Sequence, residues 1–378
     1  MLITIKVTAL AYNLLDGTTN RRHYEKERKY GKSPGTRKEA ETRLKLCLEQ
    51  LPDLVEYFAW IYHYAFYVYG PAFELRHYQD ALRGNVYKVD NEKDSSVFWS
   101  SVRACLLKLL QACFVLAFSE VIGSFVPFNR EISPGRLQET SFVQTINRAF
   151  WLYISVMASV CMKHHFVWKL TESAANLAGF GFNPSEERKR SGEFTTQDWN
   201  AVSQVDVTGF HTGSSIQKLG HSWNKRTQWW IEHYIYRRVP RCRGLNIPFT
   251  FFVVAFWHGF YGTHYLLFFT LPLFSVLDKR LRPVFNPLFY VDNEGNPSVS
   301  GTVRAGSVWK VLERVYHVFC VVVATTSILY AILIYAVPDC EKGMAIWGSL
   351  YFAPHFCAFL LHLVVSVLPA HKRKIKSA

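Results

Sequence analysis

Residues 244–277 have the sequence GLNIPFTFFVVAFWHGFYGTHYLLFFTLPLFSVL, without a single Asp, Glu, Lys or Arg. As one straight helix this segment would be about 51 Å long, whereas a membrane helix crosses ~30 Å of hydrocarbon with roughly 20 apolar residues. Pro248, Gly259 and Gly262 offer places where the helix can break. We therefore expect a long tilted membrane span, a broken helix or a tight hairpin.

The charges of this 378-residue chain collect in short basic clusters. Lys and Arg number 43 against 29 Asp and Glu, a formal net charge of +14. Nucleic-acid binding needs a continuous basic face, whereas short clusters beside apolar runs are typical of cytoplasmic loops and of attraction to anionic lipid headgroups. We expect membrane lipids and no nucleic acid as partners. The clusters lie at residues 21–45, 225–243, 279–282 and 372–376.

The other apolar runs predict an all-α fold, a polytopic integral membrane helical bundle with about six apolar segments. Residues 1–15 are typical of the end of a membrane-associated helix, and residues 179–219 of a polar, ordered extramembrane connection. Three spans are predicted before the charge-free segment, at Leu54–Phe73, Leu109–Phe128 and Ala149–Val167. Two more charge-free runs follow it, between Arg314 and Asp339 and between Lys342 and Lys372.

The stretch from Ser222 to Arg238 predicts one amphipathic helix with Ser222 as its N-cap. Trp223, Thr227, Trp230 and Tyr234 fall on one face of a helix with 3.6 residues per turn. Spacing alone favours an interfacial helix, with the aromatic face in the acyl region and the cations at the headgroups.

Trp257-His258-Gly259 lies near the middle of the charge-free segment. Ionisable side chains inside a membrane are costly and usually face a polar cavity and carry function. The alternative is a structural histidine hydrogen-bonded to a neighbouring helix. His264 would lie roughly 240° further around a continuous helix, so we expect the two imidazoles not to share a face.

Metal and serine-hydrolase sites are both disfavoured. The sequence has no HExxH or GxSxG motif, and the charge-free segment offers no carboxylate to orient His258. The eight cysteines include no CxxC pair, which argues against a zinc site or a disulfide framework. We predict no metal, and a lone histidine that acts as a general base on a hydroxyl, assisted by a neutral polar group.

Two motifs resemble the signature pair of the membrane-bound O-acyltransferase superfamily. The first contains Trp223, Asn224, Thr227, Trp230, Tyr234, Tyr236 and Arg238, and the second is Ala255-Phe256-Trp257-His258-Gly259. Further segments are similar to the lysophospholipid acyltransferase branch, most of all to its lysophosphatidylcholine type. They are Leu10–Gly17, Gly70-Pro71-x-Phe73 with His77-Tyr78, Leu170-Thr171-Glu172 and Gly179-Phe180-Gly181-Phe182-Asn183.

The resemblance implies His258 as the catalytic histidine and Asn224 as its polar partner, in a catalytic chamber within the membrane. The substrates implied are acyl-CoA, as co-substrate without any cofactor, and a lysophospholipid: lysophosphatidylcholine, with lysophosphatidylethanolamine or lysophosphatidylserine as further candidates. Substrate contacts are assigned to Trp223, Thr227, Trp230, Trp257 and Arg238. Two interpretations stay open for four arginines. They could bind the phosphates of coenzyme A, or they could mark the cytosolic side of the membrane. They are Arg237, Arg238, Arg241 and Arg243.

The ends of the chain carry two more predictions. Residues 372–378 form a basic tail that we expect in the cytosol, and Lys374 and Lys376 resemble a dilysine retrieval signal, which implies a multi-pass protein of the endoplasmic reticulum membrane. Compared with the family layout, residues 1–378 look like a single acyltransferase domain that lacks its first membrane helices.

Other functions stay open at this stage. Within the superfamily, the acceptor could be lysophosphatidylinositol, a sterol, diacylglycerol or a peptide. Outside it, the chain could be a non-catalytic membrane scaffold or a lipid transporter in which His258 is structural.

Overall fold

A computed structural model describes residues 2–87, 94–138, 141–185, 194–239, 245–293 and 295–367. These residues are mostly helical and form two compact units. The first unit comprises Met1–Glu120, Cys161–Asp206 and Ser222–Asn246, and the second comprises Val121–Val160, Val207–His221 and Ile247–Ala378. The predicted basic tail at 372–378, together with Arg241 and Arg243, lies outside the described residues.

The α-helices of the first half of the chain vary widely in length. In chain order they are α1 Leu2–Thr18, α2 Arg21–Tyr30, α3 Pro34–Leu46, α4 Leu54–Ile61, α5 Leu75–Leu82, α6 Asp94–Phe125, α7 Phe128–Glu131, α8 Pro134–Leu137, α9 Phe142–Val156 and α10 Lys163–Leu177. A π-helical turn, Met157–Met162, joins α9 to α10, and a 3₁₀ turn at Asn85–Tyr87 follows α5.

The second half of the chain contains short helices, then long apolar ones. They are α11 Val207–Thr212, α12 Ile216–Ser222, α13 Lys225–Trp230, α14 Asn246–His258, α15 Gly262–Phe285, α16 Ser307–Ile332, α17 Cys340–Ser349 and α18 Ala353–Val367. A second π-helical turn, Ile231–Tyr236, extends α13, and 3₁₀ turns lie at Thr196–Asp198 and Asn286–Leu288. The all-α prediction missed a small antiparallel ribbon, in which β1 Tyr290–Val291 pairs with β2 Thr302–Val303.

Two helical runs in the described residues are long and apolar enough to cross a membrane, Ser96–Glu131 and Ser307–Ile332. Helices α17 and α18 pass the same test together but meet at a bend of 69°. The first run contains the predicted span Leu109–Phe128, and α18, the second helix of the bent pair, lies within the charge-free run that begins after Lys342. The described residues thus contain two helical runs, or three if the bent pair is one span, that could cross a membrane by length and composition. These are fewer than the roughly six apolar segments expected, and the polytopic bundle stays a prediction.

The predicted span Leu54–Phe73 is wrong. Helix α4 ends at Ile61 after only two turns, and a sequence of turns follows. The buried Lys6 side chain donates hydrogen bonds to the backbone carbonyls of Trp60 (2.8 Å) and Ile61 (3.0 Å). Carbonyls at the end of a helix have no partner within the helix, so the ammonium group of α1 satisfies them and stabilises the early end of α4.

The predicted span Ala149–Val167 lies in the helical run formed by α9, the π-helical turn and α10. The run continues to Leu177, past the predicted end, and contains the charged Lys163 and Lys169. The buried Glu172 carboxylate pairs with Lys108 (3.0 Å) and Lys169 (2.9 Å). Its other oxygen accepts from the backbone amides of Gln204 and Val205. This run is therefore fixed by buried charge as well as by apolar packing.

The charge-free segment 244–277 is a broken helix, one of the three forms expected. Helix α14 ends at His258, Gly259 has a φ of +119°, and α15 begins at Gly262. A side chain at position 259 would be strained at that backbone angle, whereas glycine adopts it readily. The break divides the segment into a short apolar helix and a longer one.

The aromatic face of the predicted amphipathic helix packs inside the first unit, so the interfacial interpretation is wrong for this face. Trp230 and Tyr234 are 4% and 0% exposed. The Trp230 indole donates to the Ile5 carbonyl (3.1 Å), and the Tyr234 hydroxyl bonds to Asn13 (2.8 Å) and Glu74 (3.0 Å). Amphipathic spacing identifies a buried face but does not distinguish lipid from protein as its neighbour.

A buried ion pair holds the end of this region against α1. The Arg238 guanidinium donates to both oxygens of Asp16, at 3.0 and 2.5 Å. The Asp16 side chain is completely buried and that of Arg238 is 9% exposed. The guanidinium also lies over the rings of Tyr12 (4.2 Å) and Tyr234 (5.3 Å).

We predict that Asp16→Asn lowers the free energy of unfolding by about 3–5 kcal/mol, because it leaves a buried guanidinium without its counter-charge. The matched control is Glu25→Gln, which breaks the exposed pair of Arg21 and Glu25 and should cost less than about 1 kcal/mol. Thermal unfolding of both variants in detergent measures the difference. Equal small effects would show that the Asp16 pair does not stabilise the unit.

Glu39 of α3 connects the hairpin of α2 and α3 to the π-helical turn after α13. Its carboxylate accepts from Arg43 (2.9 Å) and Arg237 (2.8 Å) and lies 3.2 Å from His233 Nδ1. Burial raises the pKa of Glu39, but the hydrogen bonds to His233 and Arg43 and the charge of Arg237 outweigh it and lower the pKa to about 2.

This depressed pKa predicts a loss of stability in acid. The ordinary glutamate pKa is ~4.3, so the Glu39 contribution is complete above that value and disappears as the pH falls towards about 2. The difference in melting temperature between the wild type and Glu39→Gln should therefore shrink below about pH 4. A difference that stays constant over that range would contradict the predicted contribution.

Candidate functional site

His258 lies at the end of α14, immediately before the break at Gly259. The residue is half-buried. Because the chain leaves the helix at this point, the His258 imidazole lies at a helix end and not along a continuous helical face.

Aromatic rings surround His258 within the second unit. The nearest ring centroids are those of Phe268 (4.8 Å) and Trp257 (4.9 Å), followed by Tyr335 (5.9 Å). The Phe268 ring is tilted by only 31° to the imidazole.

His264 lies close to His258, contrary to the sequence-based expectation. The two ring centroids are 6.0 Å apart, with the rings at 76° to each other. The expectation assumed a continuous helix. Because the helix breaks at Gly259, α15 lies beside the end of α14. The described residues contain no group of three or more His, Cys, Asp or Glu side chains that could hold a metal ion.

Asn224 occupies a left-handed backbone conformation between α12 and α13, with φ 44° and ψ 50°. The predicted N-cap Ser222 is wrong, because Ser222 ends α12 and Asn224 holds the N-cap position of α13. The Asn224 carbonyl accepts from the Gln228 amide (3.0 Å), but its side chain makes no capping hydrogen bond. Asparagine tolerates this conformation better than most residues, so its half-buried amide group is presented at a kink between two helices.

Trp223 packs in a cluster of rings that sequence reasoning did not identify. Its ring centroid lies 4.8 Å from that of Trp168, 5.3 Å from His165 and 5.7 Å from His164. Both histidines lie inside the predicted span Ala149–Val167. The available signal was an ionisable pair inside an apolar run, which marks a functional position in membrane proteins. Trp223, which precedes Asn224 in the sequence, is therefore packed as part of this ring cluster.

The other residues assigned to substrate contacts have structural partners. Thr227 and Trp230 are buried in the first unit, at 6% and 4% exposed, and Arg238 pairs with Asp16. Trp257 is half-buried and packs edge-on against His258. Arg237 pairs with Glu39 and Glu232. Whether any of them also contacts a substrate stays a prediction.

The chemistry of the two central residues is complementary. Asn224 belongs to the first compact unit and His258 to the second. A neutral imidazole accepts a proton from a hydroxyl group, and a carboxamide donates a hydrogen bond to an oxygen that gains negative charge. Neither function needs a nearby carboxylate.

The chain is similar along most of its length to curated acyltransferases. It is 24% identical over 382 residues to human membrane-bound glycerophospholipid O-acyltransferase 2, covering 99% of this chain and 65% of that protein. It is 22% identical over 365 residues to a lysophospholipid acyltransferase of Schizosaccharomyces pombe, covering 94% and 63%. With lysophospholipid acyltransferase 6 of Drosophila melanogaster it shares 24% identity over 280 residues, covering 71% and 35%. The chain thus spans less than two thirds of the length of these relatives.

A family comparison gives the same result for most of the sequence. The model of the membrane-bound O-acyltransferase family matches residues 1–338, a range that contains both Asn224 and His258. The charge-free broken helix, the half-buried histidine at its break and the long apolar helices agree with that match. The chain belongs to the membrane-bound O-acyltransferase family.

Proposed function

We propose that this protein is a lysophospholipid acyltransferase that transfers a fatty acyl chain from acyl-CoA to the free hydroxyl of a lysophospholipid, lysophosphatidylcholine first among them. The observation that carries the proposal is the half-buried His258 at the helix break, surrounded by rings and within a segment free of charge. The names of the relatives, which include two lysophospholipid acyltransferases, support the acceptor class.

In this mechanism His258 is the general base. The neutral imidazole accepts the proton of the acceptor hydroxyl while the hydroxyl oxygen attacks the thioester carbonyl carbon. The carbon–sulfur bond then breaks, the new ester forms, and the histidine returns the proton to the thiolate of coenzyme A. A thioester is already activated, so the step needs neither a metal nor a covalent intermediate on the enzyme. General-base assistance of this kind typically contributes ~10²–10⁴-fold.

Asn224 is the proposed polar partner. Its amide N–H can stabilise the oxyanion that develops on the thioester carbonyl, or it can orient the acceptor hydroxyl. The left-handed backbone at Asn224 supports a role beyond helix capping, because the side chain makes no capping bond that would justify the strained position.

The proposed setting is a catalytic chamber within the endoplasmic reticulum membrane. Two lipid-like substrates meet there while water, which would hydrolyse the thioester, is excluded. The apolar helices support a membrane location.

We predict that His258→Ala reduces acyl transfer by at least about 10²-fold, since it removes the base, while the protein still inserts into membranes. His317→Ala is the matched control, because His317 is another histidine of the second unit, within the apolar helix α16. The measurement is product formation from labelled acyl-CoA in microsomes, normalised to the amount of protein. Near-normal turnover of His258→Ala would overturn the assignment of the base.

For Asn224 the informative substitutions are Gly and Asp, because both tolerate the left-handed backbone and neither retains the amide donor. Each should lower kcat by about 10²–10³-fold without a change in melting temperature. Asn224→Ala is less informative, since it adds backbone strain of roughly 1–2 kcal/mol. Normal turnover in both the Gly and the Asp variant would exclude an amide contribution to catalysis.

A panel of acceptors tests the substrate class. Microsomes containing the full-length protein are given one labelled acyl-CoA with lysophosphatidylcholine, lysophosphatidylethanolamine, lysophosphatidylserine, lysophosphatidylinositol, a sterol or diacylglycerol, and His258→Ala microsomes supply the background. We expect product with lysophospholipids that carry choline, ethanolamine or serine. Exclusive acylation of one of the other acceptors would move the protein to a different branch, and no product with any acceptor would favour a scaffold or a transporter.

A further inference from the structure

Arg226, two residues after Asn224, is a half-buried arginine that uses little of its hydrogen-bonding capacity. A guanidinium has five N–H groups. Within the part of the chain that the structure describes, Arg226 makes one hydrogen bond, from Nε to the Ala72 carbonyl at 3.0 Å. Its Nη2 atom is buried and has no partner among those residues. Since buried polar groups of native proteins are nearly always bonded, the unbonded end of this side chain is available to a ligand.

A tryptophan ring holds the guanidinium in place. The central carbon of the Arg226 guanidinium lies 5.4 Å from the centroid of the Trp229 ring. That ring in turn stacks on His233, with a centroid distance of 4.9 Å and an interplanar angle of 12°. A cation–π contact attracts a guanidinium but leaves its charge in place. The bond to Ala72 and the contact with Trp229 therefore orient Arg226 and leave Nη1 and Nη2 for an anion.

The buried carboxyl group near Arg226 does not neutralise it directly. Among the described residues Arg226 forms no ion pair. The Glu74 carboxyl group is 3% exposed and bonds to Asn13 (2.9 Å) and Tyr234 (3.0 Å), which are uncharged donors. Burial raises the pKa of Glu74 more than the charge of Arg226 lowers it. The half-buried guanidinium thus lacks a counter-charge in contact with it, which is costly unless a ligand supplies one.

The preceding residue adds a second cation. Lys225 is half-buried, and its ammonium group donates to the Ser203 hydroxyl (3.2 Å), an uncharged partner. Its backbone amide donates to the Gln204 carbonyl (2.7 Å), and the Gln204 amide donates to Glu172. That carboxylate is already shared by two lysines. Positive charge therefore exceeds negative charge in this part of the first unit, which favours an anionic ligand.

We propose that Arg226 binds a phosphate group of a substrate through the Nη1 and Nη2 atoms of its guanidinium. The planar end of a guanidinium matches two oxygens of a phosphate or a carboxylate. Both substrates of the reaction proposed above carry phosphate, acyl-CoA in its nucleotide part and the lysophospholipid in its headgroup. The choice of ligand therefore rests on the proposed function.

Matched ligands with and without phosphate isolate this contact. Acyl-CoA is compared with the corresponding S-acylpantetheine, which lacks the phosphates of coenzyme A. Lysophosphatidylcholine is compared with monoacylglycerol, which lacks the phosphocholine headgroup. Binding of each radiolabelled ligand is measured with the full-length protein in nanodiscs, for the wild type and Arg226→Gln. The control variant is Arg103→Gln, because Arg103 also donates from Nε to a backbone carbonyl, that of Trp99 (3.3 Å), but is exposed.

We expect Arg226→Gln to weaken the binding of a phosphate-bearing ligand about 10–100-fold, the equivalent of a lost hydrogen bond between charged groups. A loss for acyl-CoA assigns a phosphate of coenzyme A to Arg226, and a loss for lysophosphatidylcholine assigns the headgroup phosphate. S-acylpantetheine and monoacylglycerol should bind to Arg226→Gln as they bind to the wild type. Arg103→Gln should bind all four ligands with wild-type affinity.

Unchanged affinity of Arg226→Gln for both phosphate-bearing ligands would overturn the proposal, and so would an equal loss for the ligands without phosphate. Where Arg226→Gln does not fold, Arg226→Lys carries the test, because lysine keeps the charge but cannot form the two-pronged contact. Wild-type affinity of Arg226→Lys for both phosphate-bearing ligands would then overturn it. Binding needs no turnover, so a wild-type protein that binds the ligands without acyl transfer would overturn the proposed function and leave the phosphate contact in place.

Discussion

An unpaired backbone carbonyl is the constraint on which this structure depends. In an apolar environment water cannot satisfy the end of a helix, so each helix that stops inside the protein needs a donor from elsewhere. Lys6 supplies donors to the carbonyls of Trp60 and Ile61 at the end of α4.

The buried polar side chains of the first unit also need partners within the protein. Asn13, Glu74 and Tyr234 form a buried hydrogen-bonded group, and Asp16 pairs with Arg238 one turn further along α1. These contacts join the first helix of the chain to the π-helical turn after α13. The chain that follows Asn224 is therefore held in place by buried polar bonds as well as by apolar packing.

Much of the membrane character and the family could be predicted from the sequence, whereas the roles of Asn224 and His258 stay predictions. The charge-free runs predicted α16 and the charge-free segment 244–277. A stretch of about 20 apolar residues is typical of a membrane helix. The motifs around Asn224 and His258 pointed to the family that the comparisons then confirmed. The predictions that failed depended on contacts with distant parts of the chain. The predicted span Leu54–Phe73 ends early, where the Lys6 side chain binds the last carbonyls of α4. The face of Trp230 and Tyr234 packs against protein, where lipid was expected. Likewise, a helical wheel separates His258 from His264, and only the break at Gly259 brings their rings within 6.0 Å.

The central claim is that His258 accepts the proton of the acceptor hydroxyl. Its most direct test is a single-turnover measurement of acyl transfer with His258→Gln, which keeps a polar side chain of similar reach but cannot act as a base. Acyl-CoA binding is measured in the same membranes. The account predicts that binding is retained and that the chemical step slows by about 10²-fold or more. A chemical step within a few-fold of the wild-type rate would contradict it.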